Sequence, residues 1–196
     1  MKTVLVTSST GEPITLEDLK AHLRIMPGET EDDEYLRVLI SMSREYVEEV
    51  TNKKLMPQTW KLYIDAWPGS DYIQLPYGKV RSVPSTGIVY TNSTGDSTTF
   101  SSTAWSASTA SNPGRVYLKY DSDWPTVTLD NKDPISVEFR CGYSTRAAIP
   151  ASIKHAMKII CADHYETRES IVTGMTVTAS IPIVKALLQP HRNFTF

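Results

Sequence analysis

The stretch that most constrains this chain runs from Glu31 to Asn52. Leu36, Leu39, Ile40, Ser43, Tyr46, Val47 and Val50 recur there at steps of three and four, which is one apolar stripe at helical period. Thr30 stands where an N-cap is expected, with Asp33 three residues on as in a capping box. Glu31, Asp32, Asp33 and Glu34 fill the first turn, where the helix dipole favours negative charge. Lys53 and Lys54 follow the last turn, and Pro57 closes the region. At ~1.5 Å per residue the helix would be roughly 33 Å long, enough to span a small domain. Its stripe must be covered along that whole length. The comparable apolar helix lies near the other end of the chain, from about Ala151 to Arg168. The two are therefore expected to meet, with whatever lies between them forming an insertion.

The insertion reads as β-structure. After Pro57 the period changes from 3.6 to 2: Trp60, Leu62 and Ile64 alternate with Lys61, Tyr63 and Asp65. Short strands follow at Tyr72–Leu75, Val80–Tyr90, Arg115–Tyr120, Val127–Leu129 and Ile135–Cys141, separated by turn residues. Pro84 and Gly87 interrupt the second of these and predict an edge or a bulge. Between Thr91 and Ser111, 13 of 21 residues are Ser or Thr, read as a polar hairpin with its turn at Asn92–Gly95. The predicted fold class is α+β. A helical bundle from residues 1–57 and 149–196 carries an inserted small antiparallel β domain at 58–148.

The flanks supply the other helices. Residues Thr3–Thr7 read as a short strand. Thr15 and Asp18 form a capping box for a first helix, about Leu16 to Arg24, and Pro27-Gly28 ends it. Helix returns at Pro150 with Ile153, Ala156, Met157, Ile160 and His164 on one face. The Thr-rich stretch 171–180 is not helical by pattern. Pro182 opens a last short helix through Leu188, and Pro190 ends it.

Composition narrows the function. The chain has 196 residues, 40% hydrophobic and 21% charged, which suits one or two globular domains. No apolar run approaches the ~18 residues of a membrane span, and the apolar stretch at Val4–Val6 is too short for a signal peptide, so a cytoplasmic product is expected. Cys141 and Cys161 are read as buried thiols rather than a disulfide. The net charge of −2 is uneven. Residues 1–60 hold 7 Lys and Arg against 11 Asp and Glu, which is not the basic footprint of a nucleic-acid binder.

No catalytic, cofactor or metal signature stands out. The nine glycines are too dispersed for a phosphate loop, and there is no Gly-x-Ser-x-Gly elbow. The four histidines are scattered, and the two cysteines lack zinc spacing. Four Trp and ten Tyr, with a tail ending in Phe194 and Phe196, point instead to surfaces that dock.

Four stretches carry a family likeness. They are ITLEDLKAHLRI (Ile14–Ile25) with DDEYLRVLISMSREYVEEVTNKKLMPQTW (Asp32–Trp60); IQLPYGKVRSVPSTGIVY (Ile73–Tyr90); ISVEFRCGYSTRAAIPASIKHAMKIICADHYETRES (Ile135–Ser170); and IPIVKALLQPHRNF (Ile181–Phe194). In the last, His191 stands where such proteins often have Tyr. The chain resembles the head–tail connector (adaptor) proteins of tailed bacteriophages and prophages. The resemblance implies a structural virion protein of the neck, made in the host cytoplasm and forming a ring of about twelve copies beneath the portal. The ring extends the DNA channel and docks a stopper, tail terminator or tail tube protein. It implies that Leu187, Leu188, Pro190, Arg192, Phe194 and Phe196 contact the portal. DNA passes without specific binding, so the acidic run Glu31, Asp32, Asp33 and Glu34 is expected to face the channel, where phosphate contacts would otherwise hold DNA. The alternatives are another neck or tail protein, such as a stopper or tail terminator, and a binding module using Trp67, Trp105 and Trp124 of the β part.

Overall fold

The computed structural model describes residues 1–167 and 180–193, with Ser180 and Ile181 as backbone only. The fold is α+β. Strands β1 (Lys2–Thr7), β2 (Gln58–Ile64), β3 (Tyr72–Gln74), β4 (Val80–Ser82), β5 (Ile88–Thr91), β6 (Ser97–Thr99), β7 (Trp105–Ser108), β8 (Arg115–Leu118) and β9 (Ile135–Cys141) interrupt helices α1 (Leu16–Leu23), α2 (Asp33–Thr51), α3 (Ala151–Glu166) and α4 (Ser180–Leu188). The described chain divides into two units. One holds Met1–Ser9, Pro57–Tyr143 and Asn193; the other holds Thr10–Met56 and the described part of Ser144–Arg192.

In the helical unit, α1 begins as its sequence requires. Thr15 is extended, its Oγ1 accepts from the Asp18 amide at 2.9 Å, and Asp18 returns the bond to the Thr15 amide at 3.3 Å. The start of α2 differs from expectation. Its N-cap is Asp32, not Thr30, and no side chain caps it. The Thr30 carbonyl instead takes the Asp33 amide in a turn at 3.2 Å. Tertiary partners explain the change: Tyr165 donates its hydroxyl to Asp32 at 2.6 Å, and Lys20 pairs with Asp33. Leu36, Leu39, Ile40, Ser43 and Val47 are buried as the stripe predicts. Tyr46 is not, at 41% exposure; Glu48 and Thr51 are buried instead.

The stripe is covered by α3, so helices from the two flanks of the β insertion do meet. Cys161 Sγ lies 3.4 Å from both the Leu39 carbonyl and Ser43 Oγ, and Tyr35 donates to the His164 carbonyl at 3.1 Å. The buried face of α3 is Ile153, Ala156, Met157 and Cys161. His164, placed on that face by the sequence, is exposed in the last turn of α3. Pro150 is the N-cap of α3 rather than a first-turn residue.

A buried carboxylate closes the end of α2. Glu48, 4% exposed, accepts from the Leu55 amide at 2.9 Å and from Lys54 Nζ at 3.1 Å, with Arg44 at 3.8 Å. Without those donors a buried carboxylate would be costly. Here it fixes the turn through the left-handed residue Asn52 that leads to β2.

The β unit contains two sheets. One runs β1-β2-β9-β5-β6, with β4 also on β9; the other runs β3-β8-β7, and all pairs are antiparallel. Strands β2 and β9 bury alternate residues, among them Leu62, Ile64, Val137 and Phe139. These share one core with Ile73, Leu75 and Val116 of the smaller sheet. The stretch around Pro84 is two strands, β4 and β5, separated by a turn in which the Gly87 amide donates to the Pro84 carbonyl at 2.8 Å. The Ser/Thr-rich hairpin is present: Asn92 Oδ1 accepts from the Thr94 and Asp96 amides at 3.1 and 2.9 Å. Val127–Leu129 is not a strand; only an isolated bridge joins Leu129 to Asn92.

Residues 1–9 correct one boundary. The sequence reading assigned 1–57 to the helical part, but β1 pairs with β2 and belongs to the sheet. An extended segment must satisfy its backbone groups across a ladder, and the edge of β2 offers one.

Two outcomes follow. Glu48→Ala, which strands the buried Leu55 amide and Lys54, should lower stability by about 2–3 kcal/mol in urea unfolding. Cys161, pushed up to about 11 mainly by burial, and the equally buried Cys141 should both resist Ellman's reagent at pH 8 until the protein is unfolded.

Candidate assembly surfaces

The last helix is anchored in the helical unit. Along α4, Val184 and Leu188 are buried at 4% and 0%, whereas Ile183 is 53% exposed. Helix α4 continues into a single 3₁₀ turn, Gln189–His191. There His191 Nε2 and Ser152 Oγ of α3 share a hydrogen bond at 2.7 Å. Burial, with Lys53 nearby, holds the His191 imidazole below its ordinary pKa, so the ring stays neutral near pH 7.

The six residues proposed for a portal contact therefore separate. Leu188 is core and is withdrawn from the set, because a wholly buried side chain cannot meet a partner. Leu187 is half-buried, and Pro190 and Arg192 are exposed. Phe194 and Phe196 lie outside the described residues, as does the stretch 171–179.

The acidic run separates in the same way. Asp32 and Asp33 turn toward the bundle, to Tyr165 and Lys20, and line a cleft of about 530 Å³ with Thr30 and Gly28. Glu31 is exposed at the rim of the same cleft, and Glu34, with its side chain 92% exposed, meets its neighbour Arg37 at 3.1 Å. A helix start read as uniform dipole compensation is thus half tertiary contact and half surface.

Of the tryptophans in the β part, Trp105 is core, and Trp67 and Trp124 are partly buried and pack against that core. Trp67 stacks on Trp124 with centroids 5.0 Å apart, both pack against Phe100 at 5.7 Å, and Trp105 is 5% exposed. Trp124 donates its indole N–H to the Ser70 carbonyl at 2.9 Å.

Two surface features escaped the sequence reading. The first is the outward face of α2, where Val38 is 62% exposed and Tyr46 41%. Val38 lies off the apolar stripe, and an apolar residue amid a polar helical face is the signal that marks it. The second is a cluster shared by α1 and α3, where the His22 and His155 rings meet edge-on at 6.0 Å. His22 is held below its ordinary pKa by partial burial, then by Lys158 and His155. No sequence spacing links residues so far apart. Among the described residues, no three His, Cys, Asp or Glu side chains group as metal ligands, and no helix is long and apolar enough to cross a membrane.

No curated protein sequence matches the chain. Among solved structures, the chain is similar to one from the neck of an empty gene transfer agent particle computed with C6 symmetry. That match has TM-score 0.81 and 21% identity, and covers 100% of this chain and 97% of the other. A chain from the virion of the native gene transfer agent particle gives TM-score 0.78 at 20% identity, with the same coverage. One from the neck of the native particle computed with C12 symmetry gives 0.74 at 21%, again with that coverage. At such identities the likeness shows a shared fold, and it extends over both units. A family model matches residues 13–112, from the start of α1 through the Ser/Thr-rich hairpin, which is half of the chain. Through that match, this chain belongs to the phage gp6-like head–tail connector protein family.

Proposed function

We propose that this chain is a structural subunit of a virion neck, forming a closed ring of about twelve copies beneath the portal. Such a ring extends the DNA channel and offers its far side to a stopper, a tail terminator or the tail tube. The carrying observation is the family match through α1, α2 and the first strands, joined to a fold likeness over the whole chain to proteins of neck structures computed with C6 and C12 symmetry. The role is one of assembly rather than catalysis. Cyclic symmetry multiplies one modest interface into a stiff ring, and obligate rings couple subunit stability to assembly.

The tail reaches the portal in this reading. Leu188 and the His191–Ser152 bond fix where the tail leaves the bundle. Pro190, Arg192, Phe194 and Phe196, with part of Leu187, make the contact. Glu31 and Glu34, the outward members of the acidic run, face the channel, where negative charge keeps phosphates from adhering.

Removing residues 194–196 and changing Arg192→Glu should abolish capture of the chain by its portal in a pull-down, while circular dichroism and Tm stay unchanged. Undiminished capture refutes the tail assignment. A deletion starting at Leu187 is not equivalent, because it strips Leu188 from the core. Purified rings should bind duplex DNA only weakly, with no steep loss between about 50 and 200 mM salt; tight, salt-sensitive binding contradicts the channel assignment.

A further inference from the structure

The helical unit has two unlike surfaces, and each lacks what the other has. On α2, Leu36, Leu39, Ile40, Ser43 and Val47 face inward toward α3. At ~100° per residue, Glu34, Val38, Glu45 and Glu49 fall on the opposite side, with Tyr46 at its flank. All five are exposed. This face is therefore apolar at Val38 and Tyr46 and acidic around them. Arg37 is turned to Glu34 at 3.1 Å, and Arg44, only 15% exposed in its side chain, is shared among Glu12 at 2.9 Å, Glu45 at 3.5 Å and Glu48 at 3.8 Å, so the acidic excess of the face is only partly offset.

The second surface is shared by α1, the 3₁₀ turn Arg146–Ala148 and α3. The His22 and His155 rings meet at 6.0 Å, Arg146 lines one cleft with Thr15 and Leu16 at the start of α1, and Lys158 is one turn from His155 on α3. Lys154 is one turn from Lys158 on the same row of α3. Of its anions, Asp18 is held by Thr15 in the capping box, and Glu17 lines one cleft with Arg146 away from Lys154. Ala147, Ala148 and Ala151 are exposed beside these cations, small residues that leave room for a bulkier side chain.

We infer that the outward face of α2, around Val38 and Tyr46, docks on the α1–α3 surface of a second copy of this chain, with Glu45 and Glu49 against Lys154 and Lys158. Charge complementarity selects this occupant, since the acidic apolar face and the basic alanine-lined face belong to the same unit. Two different patches that fit each other make a head-to-tail contact, the kind that closes into a ring rather than stopping at a dimer. The inference rests on the ring proposed above and names which surfaces make it. Glu31, just ahead of α2, stays clear of this contact and faces the channel, and Glu34, one turn before Val38, stands at its edge.

The test uses full-length protein and its assembled mass in solution. Glu45→Lys with Glu49→Lys, or Lys154→Glu with Lys158→Glu, should each raise the concentration for half-assembly by on the order of ten-fold or more. An equimolar mixture of the two variants should recover assembly, because both contacts between unlike variants are complementary whereas those between like variants are not. A third variant, Val38→Cys with Ala148→Cys, should give disulfide-linked ladders on oxidation, with Cys141 and Cys161 buried out of reach. Wild-type rings together with charge variants that assemble equally well overturn this contact and leave the ring standing. A wild-type chain that stays monomeric and a cysteine pair that never cross-links overturn both.

Discussion

The contact between α2 and α3 carries the helical unit. These helices are separated in sequence by strands β2 to β9, yet Cys161 lies against the Leu39 carbonyl and Ser43, and Tyr165 and Tyr35 tie the end of α3 to the start of α2. Each helix buries one stripe, and burying a Leu or Ile side chain contributes about 1.5–3 kcal/mol. Their neighbours in sequence, α1 beside α2 and α4 beside α3, add to this packing. Closing so long a loop costs entropy, but that cost grows only slowly with length, so a self-contained insertion is tolerated. The β unit meets this condition because its two sheets share a core of their own.

What the sequence made legible follows from which forces are local. The capping box at Thr15 and Asp18, the inward stripe of α2, the alternation in β2 and β9 and the Asn92 turn all depend on near neighbours, and each is present. The failures share a different cause. Asp32 caps α2 without a side-chain bond because a tyrosine from α3 claims it, and Thr30 loses the role the spacing gave it. Glu48 is buried because Leu55 and Lys54 fold back onto it, and Tyr46 is turned outward. Strand β1 has no nearby partner in sequence and pairs with β2 only across the first two helices. In each case a long-range bond outweighed a local preference.

The candidate surfaces show the same division. Family likeness pointed to the tail and the acidic run as units, but burial separates each into members that hold the fold and members that can be offered to a partner. Leu188 and His191 secure the tail, and Asp32 and Asp33 secure the start of α2. Pro190, Arg192, Glu31 and Glu34 remain at the surface. An assembly protein needs this pairing, since a docking residue transmits force only if its neighbours are fixed.

The central claim is that this chain works as a ring. The direct measurement is the native mass of the full-length protein, alone and mixed with its portal. A closed ring of about twelve subunits of 21.9 kDa weighs roughly 260 kDa, either free or added to the portal's own mass. That mass, with no smaller closed species, is the result predicted. A chain that stays at the mass of one subunit and adds nothing to the portal would contradict the account.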